Sequence, residues 1–251
     1  MAAARQALRF VEERRAENLK SDVSHSVSEI EFLAPISRPG KIVCVGLNYR
    51  SHLAEIGEHA PEFPILFHKV GTSIIGHGQP IILPRVSRQI DFEGEVAVVI
   101  GRRGKYIPEA NALAYVAGYT CANDVSAHDL EFRTSQWDSG KMLDTFCPLG
   151  PVLVTPDDVP NLGHLRLRTM LNGQTVQDAS TSDMVFSVPF LISYISSLAT
   201  LEPGDVILTG TPAGIGCNRN PQRFLQVGDR VSVQIEGIGT LSNSVVAEEE
   251  F

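Results

Sequence analysis

The chain has 251 residues, 43% of them apolar and 20% charged, enough for one large domain or two small ones around a sizeable core. Asp plus Glu outnumber Lys plus Arg 29 to 21, a formal net charge of −8, and the densest basic run, Arg102-Arg103-Gly104-Lys105, reads as a solvated turn. Nucleic acid is therefore not an expected partner. Four scattered cysteines with no short spacing exclude a disulfide scaffold and a cysteine zinc site.

In chain order, residues 1–24 read as a weakly amphipathic helix ending in Ser21-Asp22-Val23-Ser24. They lack an apolar secretory core and carry Glu12 and Glu13, against a mitochondrial presequence, so a cytoplasmic location is expected. Residues 1–32 form an N-terminal helical segment and 33–251 the main domain. A proline-braced entry, Leu33 to Gly40, leads to a strand from Lys41 to Gly46. Asn48 to Pro64 is polar and rich in turn formers, which predicts a mobile excursion rather than core.

Short strands follow at Ile81–Pro84, Gly94–Gly101, Val116–Asn123 and Pro151–Thr155. Leu165–Leu171 alternates apolar and polar residues and turns at Asn172-Gly173 into Thr175–Gln177, a hairpin. Further strands are expected at Val206–Thr209, Val231–Ile235 and from Thr240. Helices are expected at Pro108–Val116 and Ser187–Leu198, the latter with Leu191, Ile195 and Leu198 on one face. The most apolar window, Met184 to Leu201, is broken by serines and Pro189, so it reads as a buried helix and no membrane span is expected. The class is mainly β with short helices.

Four segments could carry chemistry. On a strand, Glu93 and Glu95 of Asp91-Phe92-Glu93-Gly94-Glu95 face the same way, and Asp124 at the end of the next strand could close a third side. Three hard oxygen donors suit Mg²⁺, Mn²⁺ or Ca²⁺, although the E-x-E pattern alone more often describes an ordinary exposed acidic strand. His52 and Glu55 lie three apart, so one helical turn puts them together in the geometry of a general base; such a pair alone is usually surface decoration. Gly210-Thr211-Pro212-Ala213-Gly214-Ile215-Gly216 lacks phosphate-loop spacing, but its amides and the Thr211 hydroxyl could hold a carboxylate. Lys141 precedes the proline-bounded turn Asp144 to Pro151.

Taken together, GLNYRSHLAE, DFEGEVAVVIG, AGYTCANDVSAHD, KMLDTFCPLGP and LEPGDVILTGTPAGIG, in this order from about Leu33 to Val246, resemble the fumarylacetoacetate hydrolase family. The resemblance implies a mixed β-sandwich roll, a homodimer, and Mg²⁺ or Mn²⁺ held by Glu93, Glu95 and Asp124. It implies that His52 and Glu55 sit on a lid and activate water. Lys141 and Thr211 would contact substrate, with Tyr49, Thr145, His128 and Glu131 as further substrate-binding candidates. Residues 1–32 would be a remnant of a small N-terminal subdomain.

Two positions depart from the family pattern N-D-x-S-A-R-D-x-Q: His128 stands for its arginine and Glu131 for its glutamine. An arginine grips a carboxylate with two parallel hydrogen bonds, whereas His128 offers a titrating charge that Glu131 could raise. The expected consequence is weak activity on dicarboxylates; the plain alternative is a solvent-facing loop of no consequence. The implied enzyme acts on a β-dicarbonyl acid through a metal-stabilised enolate. Hydrolysis of a C–C bond in a 2,4-dioxo acid comes first, oxaloacetate decarboxylation or keto–enol tautomerisation second. The rival of another class is a metal-binding scaffold with impaired catalysis.

Overall fold

The computed structural model describes residues 26, 29–159 and 161–249. The chain divides into two units, Met1–Glu31 and Phe32–Phe251. The helix expected over residues 1–24 lies outside the described residues. Within the first unit, the Glu29 N–H donates to Ser26 O (2.9 Å).

The second unit opens with β1 (Ile42–Gly46), α1 (Arg50–Ile56), β2 (Ile65–Lys69), β3 (Ile74–Ile75), β4 (Ile81–Leu83) and β5 (Ile90–Asp91). Next come β6 (Gly94–Ile100), β7 (Val116–Asn123), β8 (Ser126–Ala127), α2 (His128–Glu131) and α3 (Asp138–Lys141). The chain closes with β9 (Cys147–Val154), β10 (Arg166–Leu171), β11 (Gln174–Ser180), α4 (Val188–Leu198), β12 (Val206–Leu208), β13 (Arg230–Ile235) and β14 (Gly239–Ala247). The helix expected at Pro108–Val116 is a 3₁₀ helix, Glu109–Tyr115.

Seven strands form one sheet in the order β2-β1-β12-β6-β7-β9-β3, and five form a second in the order β11-β10-β13-β14-β4. From Val96 to Ile100, β6 reads as an apolar run because both its faces are covered, and all seven of its residues are buried. Val96 and Val98 point into the core shared with Leu167, Val233, Ile235 and Leu241 of the second sheet, together with Leu191 and Ile195 of α4. Ala97 and Val99 point the other way, into a core with Cys44, Leu208, Phe67 and Ala34. Each such buried aliphatic side chain contributes on the order of 1.5–3 kcal/mol.

The Asn172-Gly173 hairpin forms as expected: both residues have positive φ (52° and 81°), which matches the twist of β10 and β11. Helix α4 starts at Ser187, whose Oγ accepts the Phe190 N–H (3.3 Å). Leu191 and Ile195 are buried on it, but Leu198 is 60% exposed, against expectation. It sits in the last turn, where the helix face has rotated past the core.

The expected mobile excursion at Asn48–Pro64 divides in two. Asn48, Tyr49, His52 and Leu53 are buried, so the first half belongs to the core. The reason is polar anchoring: Asn48 Nδ2 donates to Thr209 O (2.7 Å), Arg50 donates to Met184 O (2.6 Å), and the Ser51 N–H donates to Asp183 (2.9 Å). From Gly57 to His59 the backbone is exposed, as expected. Among the described residues, no helix is long and apolar enough to cross a membrane.

Candidate active site

Strand register builds the centre. β6 and β7 pair antiparallel with Gly94 opposite Asn123, so the chain leaves β7 at Asp124 beside the point where Glu93 enters β6. Two bonds fix that corner: the Asp124 N–H donates to Glu93 O (2.8 Å), and the Glu93 N–H donates to Asn123 Oδ1 (2.9 Å). Gly94 is required here, because a Cβ would collide with Thr169 of the second sheet. Ligand oxygens of Glu93, Glu95 and Asp124 consequently lie within 4.8 Å of one another, and all three residues are buried.

Three carboxylates this close repel one another and demand cations. Burial, then the charges of Asp124 and Glu93, push the Glu95 pKa well up, opposed by the Gly210 N–H at 2.6 Å and by Lys141. Lys141 Nζ donates to Glu93 Oε2 (2.9 Å) and Asp124 Oδ2 (3.2 Å). Burial works against its ammonium, but Asp124, Glu93 and Glu131 outweigh that and hold its pKa well above the ordinary lysine value.

The buried Asp124 Oδ1 has no hydrogen-bond partner. Its neighbour at 2.6 Å, Lys69 Nζ, directs its protons to the carbonyls of Val125 (2.9 Å), Lys141 (2.7 Å) and Phe146 (2.8 Å). The Lys69–Asp124 contact is therefore ionic, without hydrogen-bond geometry. Three buried carboxylates whose oxygens lie within 4.8 Å of one another fit a hard divalent ion such as Mg²⁺ or Mn²⁺. Glu93, Glu95 and Asp124 would hold it.

The cavity beside the triad has a volume of about 170 Å³ and is lined by Glu93, Glu95, His52, Lys141, Thr211 and His128, among others. Thr211 is positioned by Gln177, whose Nε2 donates to Thr211 Oγ1 and to Pro212 O (both 2.8 Å). On α1, His52 Nδ1 lies 3.3 Å from Glu55 Oε2. Glu55 in turn accepts from the Gly214 N–H (3.0 Å) and from Asn218 Nδ2 (3.0 Å), which docks α1 on the 210–218 loop. A carboxylate acceptor favours the proton on Nδ1, and Nε2 has no partner among the described residues.

His128 and Glu131 do not face solvent, since both are buried on the cavity wall. His128 Nδ1 lies 2.8 Å from Glu131 Oε2, and Nε2 lies 3.0 Å from Asp91 Oδ2. Burial alone would discharge the imidazole. Its bonds to Asp91, Cys217 and Glu131, with the charge of Glu93, more than offset that, and its pKa is pushed up to about 12. The expected titrating charge at neutral pH is thus replaced by a fixed one. Asp91, His128 and Cys217 also bring ligating atoms within 4.8 Å. Asp91, however, already accepts the N–H groups of Phe92 (2.8 Å), Gly216 (2.7 Å) and Cys217 (2.7 Å), so it serves as a hydrogen-bonded pin.

Two expected substrate contacts are not brought to the cavity wall. Tyr49 is wholly buried in the main core, with its backbone bridged to Met184. Thr145 has positive φ (68°), and its Oγ1 accepts the Ile82 N–H (2.9 Å), which makes it a turn-to-strand brace. Lys69, Asp91, Asn123 and Gln177 escaped the sequence reading. The only signal for Lys69 was its inward position, two after Phe67 on β2.

Residues 41–246 match the fumarylacetoacetate (FAA) hydrolase C-terminal family. The chain is 48% identical over 220 residues to the oxaloacetate tautomerase Fahd2a, mitochondrial, of Rattus norvegicus, covering 87% of this chain and 70% of that protein. It is 49% identical over 221 residues to the oxaloacetate tautomerase FAHD2A, mitochondrial, of Bos taurus, with the same coverage of 87% and 70%. Among solved structures, it is similar to a 5-carboxymethyl-2-hydroxymuconate delta-isomerase from Mycobacterium smegmatis (TM-score 0.80, 44% identity, 89% of this chain and 85% of that chain). It is also similar to a fumarylacetoacetate hydrolase from psychrophilic Exiguobacterium antarcticum (TM-score 0.83, 41% identity, 89% and 80%). With the acidic triad, the lysine and the β architecture in place, this chain belongs to the fumarylacetoacetate hydrolase family.

Proposed function

We propose that the protein catalyses keto–enol tautomerisation of a small β-dicarbonyl acid at the Glu93–Glu95–Asp124 centre. The observation that carries this reading is the Nε2 of His52, unpartnered among the described residues, on the wall of the same cavity as Lys141, Glu93 and Glu95. In the keto form, the proton on the carbon between the two carbonyls passes to His52 Nε2. Glu55, held by Gly214 and Asn218, stabilises the imidazolium that forms. The same proton then returns to a carbonyl oxygen, which gives the enol with no atom gained or lost. The Lys141 ammonium faces the charge as it develops on oxygen. A bound Mg²⁺ or Mn²⁺ would supply Lewis-acid charge to the substrate oxygens.

Tautomerisation is put ahead of hydrolysis because relatives at 48–49% identity bear the name oxaloacetate tautomerase. Hydrolysis of a C–C bond stays as the second reading, since the His52–Glu55 pair suits activation of a water equally well. Decarboxylation would need neither residue as a base. The intact triad, His52 and Lys141 speak against an impaired scaffold. Enol absorbance of a 2,4-dioxo acid, followed together with product analysis, tests the choice. Enol–keto interconversion without cleavage supports tautomerisation; stoichiometric release of two smaller acids would replace it with hydrolysis. The reading includes a homodimer and a cytoplasmic location, which light scattering and cell fractionation test.

A further inference from the structure

We infer that the wall formed by His128 and Glu131 rejects a second substrate carboxylate. The pocket then takes monocarboxylic β-dicarbonyl acids with an apolar acyl tail in preference to dicarboxylates. This inference rests on the proposed reaction for the binding mode of the first carboxylate and the carbonyls.

The argument is one of charge and donors. Both ring nitrogens of His128 are engaged, by Asp91 at 3.0 Å and Glu131 at 2.8 Å, so the imidazole has no donor left for a ligand. One cation between two carboxylates leaves that wall negative. Lys141 is the only lysine among the described residues that line the cavity; it is held by Glu93 and Asp124, and Glu131 Oε1 lies 3.9 Å away. Among the described residues, no arginine lines the cavity. Arg219, next to the lining residue Asn218, donates to Gly214 O and Val176 O, and Arg133, next to Phe132, donates its Nε to Asp129 O.

Beside the polar Thr211 and Asn218, the lining has an apolar part: Leu47, Ile56, Phe132, Trp137 and Ile215. The Phe132 ring stacks on His128 (centroids 5.7 Å, planes 7° apart) and is 65% exposed, so an apolar edge reaches the mouth. An alkyl tail buries surface against these groups. A second carboxylate in the same place would lose water, face Glu131 and have to share Lys141 with Glu93 and Asp124. This separates the chain from relatives named for oxaloacetate.

The test compares two five-carbon 2-oxo acids that differ only at the far end, 2-oxopentanoate and 2-oxoglutarate. Their binding is measured by calorimetry with Mg²⁺ at one fixed concentration. The wild type is expected to bind 2-oxopentanoate tighter, on the order of tenfold or more, the scale of an unfavourable like-charge contact. In Glu131→Gln, and further in His128→Arg with Glu131→Gln, the ratio shifts toward 2-oxoglutarate. Equal or tighter wild-type binding of 2-oxoglutarate overturns the inference, as does failure of both acids to bind or an unchanged ratio in a folded variant. If the double variant does not fold, the wild-type ratio and Glu131→Gln decide. Turnover of 2,4-dioxo acids is assayed separately: selective binding without turnover sinks the proposed reaction and leaves the selectivity standing.

Discussion

The molecule contains the same two-residue device twice, with opposite outcomes. His52 and Glu55 on α1, and His128 and Glu131 on α2, are both histidine–glutamate pairs three residues apart on short helices, and both histidines line the cavity. Around His52 the carboxylate takes one ring nitrogen and the other is left open. Around His128 a second carboxylate, Asp91, takes the other nitrogen as well. The lesson is that spacing alone does not define a base. What counts is whether a lone pair survives the fold. His52 can accept a proton; His128 is a fixed cation that binds two elements together.

Substitutions can break that comparison. His52→Ala should lower kcat by about 10²- to 10⁴-fold, the scale for a positioned base, while the melting temperature changes little. His128→Ala should do the reverse. Two buried carboxylates lose their shared cation, which costs about 3–5 kcal/mol in a denaturant titration. If the two variants behave alike, the distinction fails.

Glu55→Gln should cost less than His52→Ala, about 10- to 100-fold in kcat, as expected for an orienting partner. A pH profile that keeps its shape but drops in height would fit orientation. A further test is the pH dependence of stability. The folded pKa of His128 is raised to about 12 from an ordinary 6.5. Its contribution is therefore fully present below pH 6.5 and is lost as pH rises toward 12. The stability gap between wild type and His128→Gln should narrow from pH 7 to pH 10. A constant gap would mean that the charge of His128 does not stabilise the fold.

How legible each region was follows from the same physics. β6 could be read directly, because an apolar run covered on both faces needs no periodicity to be recognised. The two-residue strands β3, β5 and β8 could not, since two residues have no period. The triad was legible because Glu93 and Glu95 share a local pattern and Asp124 ends the next strand. The Asp91–His128 bond spans 37 positions and the Lys69–Asp124 contact spans two sheet elements, so neither leaves a local mark. Tyr49 and Thr145 were assigned by resemblance, and the structure shows one in the core and the other bracing a strand. Chain anchoring by Asn48, Arg50 and Ser51, invisible in a polar stretch, is what turned part of an expected excursion into core.

The central claim is that His52 moves one proton beside a centre where Glu93, Glu95 and Asp124 would hold a divalent ion and its Lewis-acid charge would be supplied. The most direct measurement is the initial rate of enol-to-keto conversion of a 2,4-dioxo acid, recorded by ultraviolet absorbance. It compares protein stripped with EDTA, the same protein after Mg²⁺ is restored, and Asp124→Asn treated identically. The account predicts that stripping abolishes the rate, that Mg²⁺ returns it to the wild type, and that Asp124→Asn recovers little or none. An undiminished rate in the stripped wild type, or full recovery in Asp124→Asn, would contradict it.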